Sequence, residues 1–130
     1  MLSERDRERL LSLYYAGPPE RLRAVLAEFD RTLEVFPNDT QLLSVRAHIR
    51  LMLGDGEGAL RDYSDAIALE REFAPHYYNR ALAHAQLGMK EAAHRDFSRC
   101  ARLARLANDD GLLDAVEHYI SLDGLESDNP

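Results

Sequence analysis

Five histidines and one cysteine are the residues of this chain that could most readily bind a metal or attack a substrate. The histidines form neither a His-Glu-x-x-His pattern nor a pair four residues apart, the helical spacings that bring two imidazoles to one metal ion. We therefore expect structural or solvated roles for His48, His76, His84, His94 and His118. Cys100 has no second cysteine to pair with, which excludes an internal disulfide and is typical of a reducing compartment.

A glycine-rich segment from Gly54 to Gly58 superficially resembles a phosphate-binding loop. Such loops follow a β-strand and end in Lys-Ser or Lys-Thr, and this segment has no strand pattern before it and no such pair after it. We interpret it as the turn of a helical hairpin. Since no catalytic constellation is found elsewhere, the sequence predicts a protein that is not an enzyme and needs no cofactor.

The composition indicates an ordinary globular chain. Of its 130 residues 45% are hydrophobic and 30% are charged, and the formal net charge is −7. Acids and bases alternate along the sequence, so we expect no concentrated basic surface for nucleic acid. No apolar run approaches the roughly 18 residues of a membrane span, and the N-terminus lacks the apolar core of a signal peptide. We expect a cytoplasmic protein that binds neither nucleic acid nor membrane.

The chain is organised around a unit that occurs twice, at residues 40–73 and 74–107. The two copies are identical at the pairs Arg46/Arg80, Ala47/Ala81, Leu53/Leu87, Gly54/Gly88, Glu57/Glu91, Ala59/Ala93, Arg61/Arg95, Asp62/Asp96, Ser64/Ser98, Leu69/Leu103 and Arg71/Arg105. A period of this length is typical of helix-turn-helix solenoids. We expect the repeated acids Asp62 and Asp96 to point outward into water rather than to form a two-carboxylate site.

Apolar residues recur at spacings of three and four along most of the chain, and no segment alternates as a strand would. The predicted helices span 3–16, 19–36, 40–53, 56–71, 75–87, 90–106 and 109–121. Connections of a few residues force neighbouring helices to run antiparallel. The sequence predicts one all-α domain over 1–121, followed by a disordered acidic tail at 122–130.

The two copies resemble the tetratricopeptide motif, which has a large apolar residue at position 4, small residues at 8, 20 and 27, glycine near 15 and an aromatic at 24. The first copy meets these positions with Leu43, Ala47, Gly54, Ala59, Tyr63 and Ala66. The second meets them with Tyr77, Ala81, Gly88, Ala93, Phe97 and Cys100. At position 7 the chain departs from the family, because Arg46 and Arg80 replace an apolar residue.

Two further segments resemble parts of the same family. Residues 6–39 look like a degenerate repeat, and residues 109–121 look like the family's C-terminal capping helix. The resemblance implies a right-handed superhelical array of antiparallel helix hairpins, an α-solenoid of about seven helices. It also places Cys100 at a small, buried position of the core.

In solenoids of this family the first helices of successive hairpins line a concave groove. Transferred residue by residue, the resemblance predicts groove positions at Arg7, Leu10, Tyr14, Gln41, Ser44, His48, Leu51, Met52, Tyr78, Leu82 and Gln86. The aromatic, Leu and Met side chains favour apolar groups of a partner, and the acidic surroundings favour basic flanks on that partner. Of the Lys, Arg and Asn side chains with which one branch of the family grips a peptide carboxylate, only Asn79 has a counterpart, so no such clamp is predicted.

Two functions remain open at this level. The first is a non-catalytic interaction module or adaptor that binds a peptide segment or helix of a partner protein in the groove. The second is a self-associating assembly unit, in which the groove or the edges of the terminal repeats form a homo-oligomer such as a homodimer.

Overall fold

The computed structural model describes residues 1–123, and within them the chain forms seven α-helices and no strand. The helices are α1 (Glu4–Ala16), α2 (Leu22–Val35), α3 (Thr40–Met52), α4 (Gly56–Leu69), α5 (Ala74–Gln86), α6 (Lys90–Leu106) and α7 (Asp110–Asp123). A turn of 3-10 helix at Pro19–Arg21 precedes α2. The all-α prediction is confirmed. Because α7 extends to Asp123, the first two residues assigned to the acidic tail are helical, and the rest of that tail lies outside the described residues.

Contacts divide the chain into two compact units, one spanning Met1–Leu69 and a second that begins at Glu70. In the first unit α1 packs against α2, α2 against α3, and α3 against α4. In the second unit α5 packs against α6, and α6 against α7. The division falls where α4 ends, close to the boundary between the two sequence repeats. The single domain over 1–121 stays a prediction.

Small residues line the contacts within the hairpins, as the motif requires. All six of its small positions are buried: Ala47, Ala59 and Ala66 in the first unit, and Ala81, Ala93 and Cys100 in the second. The aromatic positions, Tyr63 and Phe97, are buried beside them. A small side chain lets two helical backbones approach closely, and the aromatic ring fills the space that remains. The assignment of these motif positions to the core is therefore confirmed.

Glycine ends the first helix of each repeated hairpin in a left-handed conformation. Gly54 has φ +88° and Gly88 has φ +78°, values that L-residues with a side chain rarely adopt. In each turn the next backbone N–H donates back to the helix at 2.8 Å, from Asp55 to the Arg50 carbonyl and from Met89 to the His84 carbonyl. The segment from Gly54 to Gly58 is thus a helical hairpin turn, as interpreted from the sequence.

Asp62 and Asp96 are buried, which overturns the expectation that they face water. Their exposed fractions are 1% and 5%. Arg46 donates to both carboxylate oxygens of Asp62, from Nε at 3.0 Å and from Nη2 at 2.8 Å, and Arg80 does the same to Asp96 at 2.8 and 2.8 Å. A bidentate arginine neutralises a buried carboxylate and satisfies its lone pairs. The arginines that depart from the family motif are therefore the partners of the repeated acids.

A third side chain, one turn further along the first helix, joins each of these clusters, and in the first unit Arg46 and Arg50 also pair with Asp30 of α2 at 3.1 and 3.7 Å. Arg50 Nη1 lies 3.0 Å from Oδ2 of Asp62, and His84 Nε2 lies 3.3 Å from Oδ2 of Asp96. The two hairpins thus share one design but differ in this member, which is permanently charged in the first unit and titratable in the second.

Candidate functional site

Tyr14 on α1 and His48 on α3 meet on the surface of the first unit. The Tyr14 hydroxyl and His48 Nδ1 are hydrogen bonded, and the two ring centroids lie 5.8 Å apart at an interplanar angle of 75°. Tyr15 packs edge-on against Tyr14 at 4.8 Å. Burial raises the pKa of the Tyr14 hydroxyl, with a smaller contribution from Tyr15, so this phenol stays neutral at physiological pH. Two residues that the sequence assigned to the groove are therefore brought into direct contact.

Other predicted groove residues occupy the same helix as His48 and differ in exposure. Met52 exposes 47% of its surface and Gln41 is also exposed, whereas Ser44 and Leu51 are half-buried. Within the described residues the buried Ser44 hydroxyl oxygen has no hydrogen-bond partner. Since residues three and four apart share a helix face, α3 presents a mixed apolar and polar strip next to Tyr14.

Leu10 is not a surface residue, and its assignment to the groove is wrong. It exposes only 1% of its surface and belongs to the core formed with Val25, Phe29 and Leu42. The position was transferred from a degenerate repeat whose turn is rebuilt around Gly17, and packing of α1 on α2 directs Leu10 inward instead. Burying a leucine stabilises the fold by about 1.5–3 kcal/mol. Leu10 therefore serves the core and is not accessible to a partner.

Arg7, the first predicted groove residue, is held by acids of its own unit. Its guanidinium forms ion pairs with Asp39 and Glu4, and the hydrogen bond that it donates to Asp39 raises the pKa of Arg7. A cavity of about 600 Å³ opens beside it, lined also by Gln41, Phe36 and Val35. This end of α1 therefore combines a fixed charge with an apolar recess.

The groove residues of the second unit lie on α5. Leu82 is half-buried and Gln86 is exposed. The Tyr78 ring packs edge-on against Phe97 at 6.2 Å and against Tyr119 of α7 at 5.9 Å, and Phe97 and Tyr119 stack at 5.7 Å. Burial is the main cause of a raised pKa at Tyr78. Helix α7 therefore covers part of this ring, a contact that the sequence did not predict.

The cysteine and histidine considered for chemistry, Cys100 and His76, are buried and have structural roles. Cys100 is fully buried, and burial raises the pKa of its thiol to about 11, which leaves no thiolate at neutral pH. His76 Nε2 lies 2.7 Å from a carboxylate oxygen of Glu70, in a buried position near the start of α5. Among the described residues no group of three or more His, Cys, Asp or Glu could hold a metal ion, and no helix is long and apolar enough to cross a bilayer.

Similar sequences are tetratricopeptide-repeat proteins. The chain is 33% identical to tetratricopeptide repeat protein 36 of Bos taurus over 86 residues, which cover 63% of this chain, and equally similar to the protein of that name from Danio rerio. It spans 46% of the length of these curated relatives. No protein-family model matches the chain.

Solved structures with the same fold include two complexes. PcrH in complex with the chaperone binding region of PopD superposes with a TM-score of 0.80 at 21% identity, covering 97% of this chain and 96% of the other. The first tetratricopeptide domain of Spaghetti (RPAP3), bound to an HSP90 peptide, superposes with a TM-score of 0.66 at 20% identity, covering 88% and 89%. In its duplicated motif and helical hairpins the chain is thus similar to tetratricopeptide-repeat proteins, and it shares the fold of these solved structures.

Proposed function

We propose that this chain is a non-catalytic interaction module that binds a peptide segment of a partner protein. The binding face would be formed by α1 and α3 in the first unit. The observation that carries the proposal is the contact between Tyr14 and His48, which places an aromatic platform beside the exposed Met52. Aromatic side chains on a partly exposed face supply apolar contact area at low entropic cost, and a methionine adds a flexible apolar side chain that adapts to its partner.

The cavity beside Arg7 and Gln41 also supports peptide binding on the face formed by α1 and α3. Its walls include the exposed Val35 and the half-buried Phe36, so it offers a recess for one apolar side chain at the end of α1. With a net charge of −7 the chain favours ligands that carry basic residues around such an apolar anchor. PcrH and the RPAP3 domain, which share the fold, were each solved with a bound peptide or binding region.

A peptide selected from a random 12-residue library against the immobilised full chain would test this proposal. Its affinity would be measured by calorimetry for wild type, Tyr14→Ala and Met52→Ala. We expect losses on the order of 1–3 kcal/mol for Tyr14→Ala and smaller losses for Met52→Ala. Leu106→Ala is the control, because this apolar side chain at the end of α6 is 77% exposed and is not one of the predicted groove residues.

Two outcomes would count against the proposal. If the selected peptides bind equally well to wild type, Tyr14→Ala and Met52→Ala, the partner docks elsewhere on the molecule. If sedimentation at several concentrations gives a tight dimer at micromolar protein, and Tyr14→Ala alone dissociates it, then this surface serves self-association instead.

A further inference from the structure

Helix α6 is basic in a chain that is acidic as a whole. It carries five of the 16 lysines and arginines: Lys90, Arg95, Arg99, Arg102 and Arg105. Only Glu91 and Asp96 oppose them, which gives the helix a formal charge of 5 − 2 = +3 and leaves −10 for the remainder of the chain. All five cationic side chains are exposed, whereas Asp96 is buried against Arg80. This concentration of positive charge departs from the alternation of acids and bases expected from the sequence.

Part of this basic helix lines a cavity. A space of about 610 Å³ lies between α6 and α7, which we call the α6–α7 cavity, and its walls include His94, Ser98, Arg102, Arg105, Glu117 and Ile120. The α6 residues recur at spacings of three and four, so they share one face of the helix. Arg105 and Glu117 approach to 3.6 Å, but both side chains are more than half exposed, and such surface pairs contribute little.

Two groups in this cavity have unused binding capacity within the described part of the chain. No carboxylate among those residues lies within ion-pair distance of Arg102, although its neighbour Arg105 has Glu117. The Nδ1 atom of His94 is buried and has no hydrogen-bond partner there. The half-buried Ile120 supplies apolar surface on α7 beside Glu117, and the buried Ala101 lies next to Arg102 on α6. The cavity thus combines cationic donors with a small apolar surface.

We propose that the α6–α7 cavity is a second binding site, which takes an acidic peptide segment of a partner protein. Carboxylates of the segment would pair with Arg102 and Arg105, and one of its apolar side chains would pack on Ile120. Guanidinium groups match carboxylates in charge and fork geometry. Nucleic acid offers no aliphatic side chain for Ile120, so an acidic peptide that carries apolar residues fits the cavity better than nucleic acid. This site lies on helices other than α1, α3 and α5 and does not depend on the proposed function.

The test uses a capped, fluorescein-labelled octapeptide of alternating Glu and Leu as the probe, with an alternating Gln and Leu peptide as its uncharged counterpart. Fluorescence anisotropy would give affinities for the full chain at low and at physiological ionic strength. We expect binding of the acidic peptide at least ten times tighter than of the Gln peptide, and weaker at the higher ionic strength. The double variant Arg102→Gln/Arg105→Gln should lower the affinity for the acidic peptide at least tenfold.

The matched control is Arg61→Gln/Arg71→Gln, which removes two exposed arginines outside the cavity and produces the same net charge. Arg71 also stands at the repeat position of Arg105. We expect this control to change the affinity less than twofold, with circular dichroism confirming that both variants are folded. Equal losses in the two double variants, absence of binding to the acidic peptide, or tighter and equally Arg102-dependent binding of a 12-nucleotide single-stranded DNA would each overturn the proposal.

Discussion

The guanidinium of Arg80 and the carboxylate of Asp96 face each other across the hairpin of α5 and α6, joined by two hydrogen bonds of 2.8 Å. The same pair recurs as Arg46 and Asp62 in the hairpin of α3 and α4. The hydrogen bond from Arg80 to Asp96 is the largest cause of the raised pKa of Arg80. A buried, charge-assisted pair of hydrogen bonds therefore connects the two helices of each hairpin.

Removing one partner of this contact should cost more than removing both. We predict that Arg80→Met lowers the free energy of unfolding by about 3–5 kcal/mol, because it leaves the Asp96 carboxylate buried without its main counter-charge. The double variant Arg80→Met/Asp96→Leu should recover most of that loss. Urea denaturation of the three proteins measures both effects, and a double variant as unstable as the single one would contradict the explanation.

The histidine of the second unit should make stability depend on pH. Burial lowers the pKa of His84 below its ordinary value of 6.5, with Arg80 and Arg95 acting in the same direction and the Asp96 carboxylate opposing them. The unfolded chain therefore takes up this proton at a higher pH than the folded chain does. We predict that the free energy of unfolding falls as the pH drops below about 6.5 towards the folded pKa.

His84→Gln should flatten this dependence, since it removes the titrating group. The control is His118→Gln, which changes an exposed histidine on α7. Urea midpoints at several pH values between 5 and 8 would give the slopes, and equal slopes for wild type and His84→Gln would exclude His84 as their source.

Added volume at a small motif position should destabilise the hairpin. Ala59 is completely buried between α3 and α4, so Ala59→Leu forces extra carbon atoms into a close-packed contact and should cost about 1–3 kcal/mol. Ala68→Leu makes the same change at an exposed position of α4 and should alter stability by less than about 0.5 kcal/mol. Thermal melts followed by circular dichroism would compare them, and equal melting temperatures would mean that Ala59 is not at the helix contact.

The turn glycine should be needed for its backbone conformation and not for space. An added Cβ at Gly54 meets no atom within 4 Å, so the expected cost of Gly54→Ala, roughly 1–2 kcal/mol, comes from the positive φ. Gly54→Asn should cost less, because asparagine tolerates this conformation and Asn108 adopts φ 56° in the turn before α7. Denaturation curves in which Ala and Asn are equally destabilising would contradict this reasoning.

Much of the fold could be predicted because its determinants are local. The Ser3 hydroxyl accepts a hydrogen bond from the backbone N–H of Asp6, and the Asp39 carboxylate accepts one from Leu42, so two predicted helix starts depend on residues three apart. Gly54 and Gly88 end their helices through their own backbone angles. Nearest neighbours in sequence suffice to specify such features.

The side chains that were placed wrongly depend on distant partners. Polarity alone predicted that Asp62 would be exposed, because its arginine lies sixteen residues away on another helix. The sequence did contain a signal of this pairing. Arg46 and Asp62 both recur in the second copy, so a basic and an acidic residue are repeated together. The assignment of Leu10 to the groove was wrong for a similar reason, because packing on α2 sets the orientation of this residue and its motif position does not.

Each buried carboxylate and the arginine that neutralises it belong to the same repeat, sixteen positions apart. A duplication or deletion of one whole repeat therefore gains or loses both charges together. Had Asp62 been paired with an arginine of another repeat, every such event would have left a lone ion in the protein interior, at a cost of several kcal/mol. The placement of this ion pair within one repeat thus keeps each buried carboxylate with its bidentate arginine when the number of repeats changes.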